Sequence, residues 1–511
     1  MDYIGQQPVL QPFYAFAPTW QGLQQAIEKK QQQPVDRAAL VKVLENQYQG
    51  VATTERVRQN IQSLLSPQTF TICTAHQPNL FTGPLYFIYK ILHVIRLAEE
   101  LKKQQPQLHF VPVFYMGSED ADLQELNHTY VQGKRYEWKT EQTGAVGRMV
   151  IDKSLVALID EMAGQLLVAP YGKEVVELLK QSYQPGKTIQ TATFEIINEL
   201  MGKWGLLVLI ADTADLKKAM IPVFEEDLFQ QRPSAIVEKT CQRFSEHYNV
   251  QANPRDINLF YLKDNLRERI IKVGDDFAVH NTTIRFTPEA IKAELHQHPE
   301  RFSPNVILRG LYQETILPNI AFIGGGGEVA YWLQLKELFD HYHTPFPVLV
   351  LRNSFLIIDQ KWQQKIKKLD LATEQLFETE LDILNGVLEK AGKQPQLNGE
   401  VAQLAHLYED LKEVATAVDV TLQQHVEALK VKALNQLISL EKKMQRAERK
   451  KHQAIQAQIA GLKEALFPRN GLQERVENFS SFYARWGSSF LDALYDASLS
   501  IEQQFVVLQE A

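Results

Sequence analysis

Five short apolar runs, Phe70–Thr74, Phe110–Met116, Leu206–Ala211, Asn319–Ile323 and Val348–Leu351, each give way to small or polar residues and then to sequence of helical period. Runs this short and this rich in β-branched and aromatic residues predict buried strands. After the first run, Leu85, Ile88, Tyr89, Leu92, Ile95 and Leu97 mark one helix face, which ends near Lys102–Lys103. Strand, turn, helix and strand between Phe70 and Met116 make a βαβ unit. The fold class is therefore α/β, a doubly wound parallel sheet whose ligands sit beyond the carboxyl ends of the strands.

The gaps between runs predict insertions. Met116 to Leu206 and Ala211 to Asn319 each span around a hundred residues, far more than a crossover helix needs. Two subdomains are expected, at 125–204 and 215–307, within a core over 67–370. In the second, Tyr261–Leu262, Arg269–Val273 and Phe277–Val279, with Gly274-Asp275 as a turn, predict an antiparallel hairpin. Residues 1–66 read as a helical segment with a link at Gln31–Pro34 and an amphipathic stretch through Leu40, Val43 and Leu44.

Residues 371–511 read as almost wholly helical. Leu422, Val426, Leu429, Ala433, Leu437, Leu440, Met444, Ala447, Lys451, Ile455, Ile459, Leu462 and Leu466 recur at alternating steps of three and four, eleven residues per three steps. That period predicts one long, nearly straight helix to Pro468, with a seam that needs a partner. Either the helical stretches near 376–388 and 404–414 or a second copy of the chain could supply it. The basic run Lys442–His452 inside it reads as a solvated face.

With 54 Lys plus Arg against 61 Asp plus Glu the net charge is −7, which argues against a nucleic-acid-binding surface. The two cysteines, Cys73 and Cys241, are too few for a disulfide scaffold or a zinc site, and a reducing cytoplasm is expected. No apolar run is long enough for a membrane span and the N-terminus lacks a signal-peptide pattern, so no membrane association is expected.

Polar or glycine-rich motifs follow every predicted strand. After the first, Ala75-His76-Gln77-Pro78-Asn79 leads to Thr82-Gly83-Pro84, a stiff turn opening a helix whose free N–H groups would face an anion. After the second come Gly117, Ser118, Glu119, Asp120 and Asp122, then Glu125, Asn127 and His128. Such carboxylates can hold an ammonium, act as general base or bind Mg²⁺, although the spacing is not an EF-hand loop. After the fourth come Gly324, Gly325, Gly326 and Gly327, then Glu328 and Tyr331, a run that lets main chain approach a ligand and that matches neither a Walker A loop nor a dinucleotide fingerprint. Arg309, with Tyr312 and Gln313 beside it, and Arg352 offer planar forks for carboxylate or phosphate, and Asp212 lies on the same rim. Each motif also suits a capped turn or structural ion pair. Their convergence on one sheet edge points to a ligand site.

These motifs in this order resemble the bacillithiol synthase family, the cysteine-adding enzymes of bacillithiol biosynthesis. The resemblance runs from Phe13-Tyr14 to the tail. It is most specific at Leu80–Lys90 (LFTGPLYFIYK), at Gly117–Asp122 with Asn127-His128, at Gly324–Trp332, and at Leu466-Phe467-Pro468 with Leu472–Phe479 (LQERVENF). It implies a Rossmann-like core related to nucleotidylyl transferases, two connecting-peptide insertions, and a C-terminal coiled coil used in homodimerisation. It also implies the last pathway step, joining the carboxyl of L-cysteine to the amine of glucosaminyl malate.

Two departures stand out. Ala75–Asn79 stands where the family commonly has Gly-Gln-Gln-Pro-Gly, and His76 lacks the second histidine of a His-x-Gly-His signature. ATP activation is therefore not legible in this motif, though ATP or ADP is expected, with Mg²⁺ left open. On this reading His76 stabilises the activated acyl group, Glu119 or Asp120 takes the amine proton, and Arg309 and Arg352 grip the malate carboxylates. Thr82, Gly83 and Gly324–Gly327 hold anionic groups, while Gln77, Asn79, Ser118, Asp122, Tyr312, Gln313, Glu328 and Tyr331 line the substrates. A nucleotidylyl transferase acting on another small acid, or a non-catalytic scaffold whose coil recruits a partner, are the alternatives.

Overall fold

A computed structural model describes residues 1–392 and 395–510. Five parallel strands form its central sheet: β1 Thr69–His76, β2 His109–Met116, β3 Leu207–Ile210, β4 Asn319–Gly324 and β5 Val348–Leu351. Their order is β5-β4-β1-β2-β3, so the winding reverses between β1 and β4. A crevice opens outside the carboxyl ends of strands at such a reversal. Pairing sets His76 opposite Met116, Met116 opposite Ile210, and Gly324 opposite Leu351, which brings all five polar motifs to one edge.

Three helices are needed to build the site: α1 Tyr86–Gln104, α2 Val306–Ile316 and α3 Gly326–Trp332. One face of α1 packs Val94 and Leu97 with Phe70, Ile72, Ile320 and Val348 of the sheet and with Leu23 and Ile27 of the N-terminal helix Trp20–Lys30. Removing this much apolar surface from water fixes the sheet edge as a rigid platform. The inserted chain after β2 forms a small hairpin, His128–Val131 with Lys134–Glu137, and its three longer helices are Lys153–Leu166, Gly172–Ser182 and Ile189–Met201. The chain after β3 builds a five-stranded sheet around Leu259–Lys263 and Leu266–Val273, larger than the expected hairpin.

Two compact units divide the chain: Met1–Leu356 with Glu474–Val506, and Ile357–Gln473 with the last residues from Val507. In the second unit α4 Asn398–Val418 and α5 Leu422–Lys451 lie antiparallel across a short turn. Lys412 pairs with Glu427 at 3.2 Å and Lys430 with Glu409. The expected single helix to Leu466 is interrupted: His452 adopts φ −106°, ψ 37°, and a separate helix runs Gln453–Leu466. Arg449, Lys450 and Lys451 in the last turn favour a helix end electrostatically. Lys451 thus closes α5. The later helix buries Ile459 with Ile383, Leu384 and Leu388 of Glu380–Lys390. Among the described residues no helix is long and apolar enough to cross a membrane.

Candidate active site

At the β1/β4 reversal lies a cleft of about 740 Å³ lined by His76, Gln77, Tyr86, Lys90, Asp120, Glu125, Arg255, Arg267, Arg309, Gly325–Gly327, Glu328, Tyr331, Arg352 and Arg475, among others. An apolar chamber of about 410 Å³, walled by Tyr3, Ile4, Leu10, Phe244, Val329 and Leu333, shares Gln251 and Gly326 with it.

His76, the last residue of β1, stacks on Tyr86 at a centroid distance of 5.4 Å. Its Nε2 is 3.1 Å from the Tyr86 hydroxyl, and its Nδ1 lies 2.8 Å from both the backbone N–H and the side-chain oxygen of Gln77. Burial and the Lys90 charge push its pKa down to about 3, so the imidazole is neutral at working pH.

Lys90 donates to the Ala75 carbonyl at 2.5 Å and to Glu328 Oε2 at 2.7 Å. Burial lowers its pKa against the pull of Glu328. An ammonium this deep costs several kcal/mol unless paired, so the carboxylate is a condition of its position. Glu328 Oε2 also accepts from the Gly325 N–H at 2.8 Å. The start of α3 is therefore capped by its own side chain. No glycine of the run has positive φ. A Cβ on Gly324 would meet the Phe322 ring at 2.9 Å, which makes Gly324 a packing residue, whereas Gly326 and Gly327 have nothing within 4 Å and face open space.

The acidic motif divides three ways. Glu119, expected as a base, is buried against Lys217, which also reaches Asp212 Oδ1 and the Glu300 carbonyl, both at 3.1 Å. Arg148 closes this network on Asp212 at 2.7 and 2.9 Å. Burial raises the Glu119 pKa although Lys217 opposes it; the side chain does not line the cleft. Asp120 receives a two-pronged pair from Arg309, at 3.0 and 2.5 Å. Burial would raise its pKa, but Arg309 and Arg267 outweigh burial and hold it below the usual carboxylate range, which makes it a weak base. Glu125 faces the cleft with no hydrogen-bonded or ion-paired partner on its carboxylate among the described residues, and burial, then Asp122 and Asp120, push its pKa up.

Other expected residues sit elsewhere. Asn79 and Ser118 are buried outside the cleft. Asp122 caps a short turn by accepting from the Glu125 N–H at 3.2 Å. Tyr312 donates to the Ala211 carbonyl at 2.7 Å, and Gln313 to Glu314 at 2.9 Å, both in the core. Thr82 is buried, and the carbonyl of Gly83 (φ 64°) accepts from Asn478 Nδ2 at 2.6 Å. The Leu85 N–H donates to the Glu477 carbonyl at 2.8 Å. Residues 477–478 thus close the start of α1, and no anion site opens there. Arg352 lines the cleft and lies 5.1 Å from the Tyr86 ring centroid, yet it is tied to Glu474 at 2.7 Å and to the Asn353 carbonyl at 2.9 Å.

Sequence reasoning passed over Lys90, Arg255, Arg267 and Arg475. A signal was present for two of them, since Lys90 ends the segment Leu80–Lys90 and Arg475 lies within Leu472–Phe479. The latter segment, remote in sequence, supplies Glu474 to Arg352, Asn478 to the β1 turn and Arg475 to the cleft. Cys73 and Cys241 take no part. Both are buried, which raises the Cys73 thiol and pushes Cys241 up to about 11.

Residues 1–353 match the N-terminal Rossmann-like domain of bacillithiol biosynthesis BshC, and residues 355–510 match its C-terminal coiled-coil domain. A Cytophaga hutchinsonii protein named "Putative cysteine ligase BshC" is 41% identical over 499 residues, covering 97% of this chain and 93% of its own. A Flavobacterium johnsoniae protein of the same name is 39% identical over 510 residues, covering 99% and 96%. A Rossmann-ordered sheet, a cleft at its reversal, a coiled-coil domain and these matches agree: the chain belongs to the BshC family of bacillithiol biosynthesis and is a ligase-type enzyme.

Proposed function

We propose that the cleft joins the carboxyl group of L-cysteine to the amine of glucosaminyl malate, the last step in making bacillithiol. The observation that carries this reading is a carboxylate, Glu125, that has no hydrogen-bonded or ion-paired partner among the described residues and sits in a cation-rich cleft at the sheet reversal. An amine nucleophile must lose a proton, and burial with the neighbouring Asp122 and Asp120 raises the Glu125 pKa, which makes it a stronger base than an ordinary carboxylate. Glu125 replaces Glu119 and Asp120 in this role, since both are committed to cations. Neutral His76 donates from Nε2 toward the acyl oxygen as charge builds there.

Amide formation from a carboxylate is uphill in water, so the reading takes ATP as co-substrate. A cysteine carboxylate oxygen attacks phosphorus and displaces ADP or pyrophosphate. The amine nitrogen then attacks the acyl carbon, and phosphate or AMP leaves. The apolar chamber beside Gly326 has room for a nucleobase, with the phosphates toward Gly326, Gly327 and the cations. Mg²⁺ enters this reading as the counter-ion of ATP.

The working unit is proposed to be a homodimer in the cytoplasm, paired through α4 and α5. Leu411, Leu429, Ile438 and Leu440 are exposed on these helices, and a cluster of exposed apolar side chains marks a surface suited to a partner. The test of function is incubation of pure protein with cysteine, glucosaminyl malate and ATP, followed by mass spectrometry. Bacillithiol with stoichiometric ADP or AMP is expected. Nucleotide turnover without the amide would favour nucleotidylyl transfer to another acid, and no turnover a binding scaffold.

A further inference from the structure

Pairing off the charges that line the cleft leaves two cations over. Lys90 is held by Glu328, Arg309 by Asp120 and Arg352 by Glu474. Arg267 lies 3.8 Å from Asp120, with Phe260 beneath its guanidinium. Arg255 and Arg475 are exposed, and among the described residues their guanidinium groups have neither a hydrogen bond nor an ion pair.

Their backbones, in contrast, are pinned. The Arg255 N–H donates to Asn258 Oδ1 at 3.2 Å, and its carbonyl accepts from Asn258 Nδ2 at 2.9 Å. Asn258 is itself fixed by the buried Asp227, at 2.6 and 3.0 Å. Arg475 follows Glu474, whose carboxylate is locked by Arg352 and by the Phe355 N–H at 3.2 Å. A free planar fork on a fixed backbone, inside a cleft that neutralises its other cations internally, is arranged to receive an anion from outside.

We infer that Arg255 and Arg475 together bind the two carboxylates of a small dicarboxylate and so select the substrate of this cleft. The inference rests on the reading above, in which that dicarboxylate is the malate end of the amino sugar. It moves the malate grip from Arg309 and Arg352, which are occupied, to the two arginines that are not. Arg309 and Arg352 instead hold the cleft floor in shape.

Two measurements test this. In steady-state assays, Arg255→Gln and Arg475→Gln should each raise the KM for glucosaminyl malate at least tenfold, with kcat within about threefold of wild type. The KM values for cysteine and ATP should not move. An increase confined to ATP or cysteine overturns the assignment, because the grip would then belong to a phosphate or to the other carboxylate.

Calorimetric titration of L-malate supplies a readout that needs no turnover. Malate should bind the wild type and lose affinity at least tenfold in each variant, while malate diamide, which keeps the shape without the charges, should not distinguish wild type from variants. Arg255→Lys should bind malate with intermediate affinity, since the charge is kept and the fork lost. Equal malate affinity in wild type and variants, including none in either, overturns the inference. Variant-dependent malate binding in a protein that forms no amide would uphold the grip and reject the reaction.

Discussion

Lys90 Nζ and Glu328 Oε2 meet at 2.7 Å across the point where the sheet reverses its winding. One belongs to the helix leaving β1 and the other to the helix leaving β4. This contact fastens the two halves of the sheet at the edge where the cleft opens, and it holds the glycine run through the Gly325 N–H.

Lys90→Met would leave the Glu328 carboxylate without its cation. A loss of about 3 kcal/mol is expected, at the low end for broken buried pairs because Glu328 retains 27% exposure. Lys90→Met combined with Glu328→Gln should recover most of that stability but not the activity. Denaturant melts and amide-forming assays on both variants check this, and a double variant as unstable as the single one would contradict it.

Glu125 must be deprotonated to accept a proton, so kcat/KM should fall as pH drops through its raised pKa, above the ordinary range near 4.5. Glu125→Gln should cut kcat by about a hundredfold without changing the melting temperature, and it should abolish the acid limb of the profile. Glu119→Gln should behave differently, weakening the hold on buried Lys217 and lowering stability. An unchanged acid limb in Glu125→Gln would reassign the base.

Asp227 is buried and, among the described residues, accepts hydrogen bonds from Asn258 alone, and burial raises its pKa to about 7. The folded state therefore holds a proton that the unfolded chain, with a carboxyl near 3.8, releases. Between those values the native state binds more protons, so stability should fall as pH rises from about 4 to about 7 and then level off. The upper bound is roughly 4 kcal/mol. Asp227→Asn should flatten this slope in urea titrations at pH 5 and pH 8, and an identical slope would remove Asp227 as its source.

Replacing Leu429 and Leu440 by Asp would put charge on the exposed face of α5. Light scattering should show wild type at twice 58.6 kDa and the variant at 58.6 kDa with its helix content unchanged. A wild-type mass of 58.6 kDa at micromolar concentration would refute the dimer.

The sheet was legible because each strand carries its own local pattern; Phe70–Thr74 and Val348–Leu351 read as strands without reference to anything else in the chain. Rank among charged residues was not legible, because it depends on partners brought from far away. Glu119 and Glu125 look alike in sequence, and only Lys217, 98 positions on, takes the first out of service. Lys90 reads as a break in an apolar helix face until Glu328, 238 positions on, meets it. The break at His452 is not legible because the three-four period continues through it, and apolar periodicity carries no record of the cations that favour a helix end just before it.

Burial of Cys73 and Cys241 has a consequence for an enzyme of thiol metabolism. Exchange with a disulfide needs an accessible thiolate as attacking group, and here access and ionisation are both suppressed. The protein can work among small thiols and their oxidised forms without being trapped as a mixed disulfide. Its own two thiols therefore offer no handle by which a disulfide could switch it off.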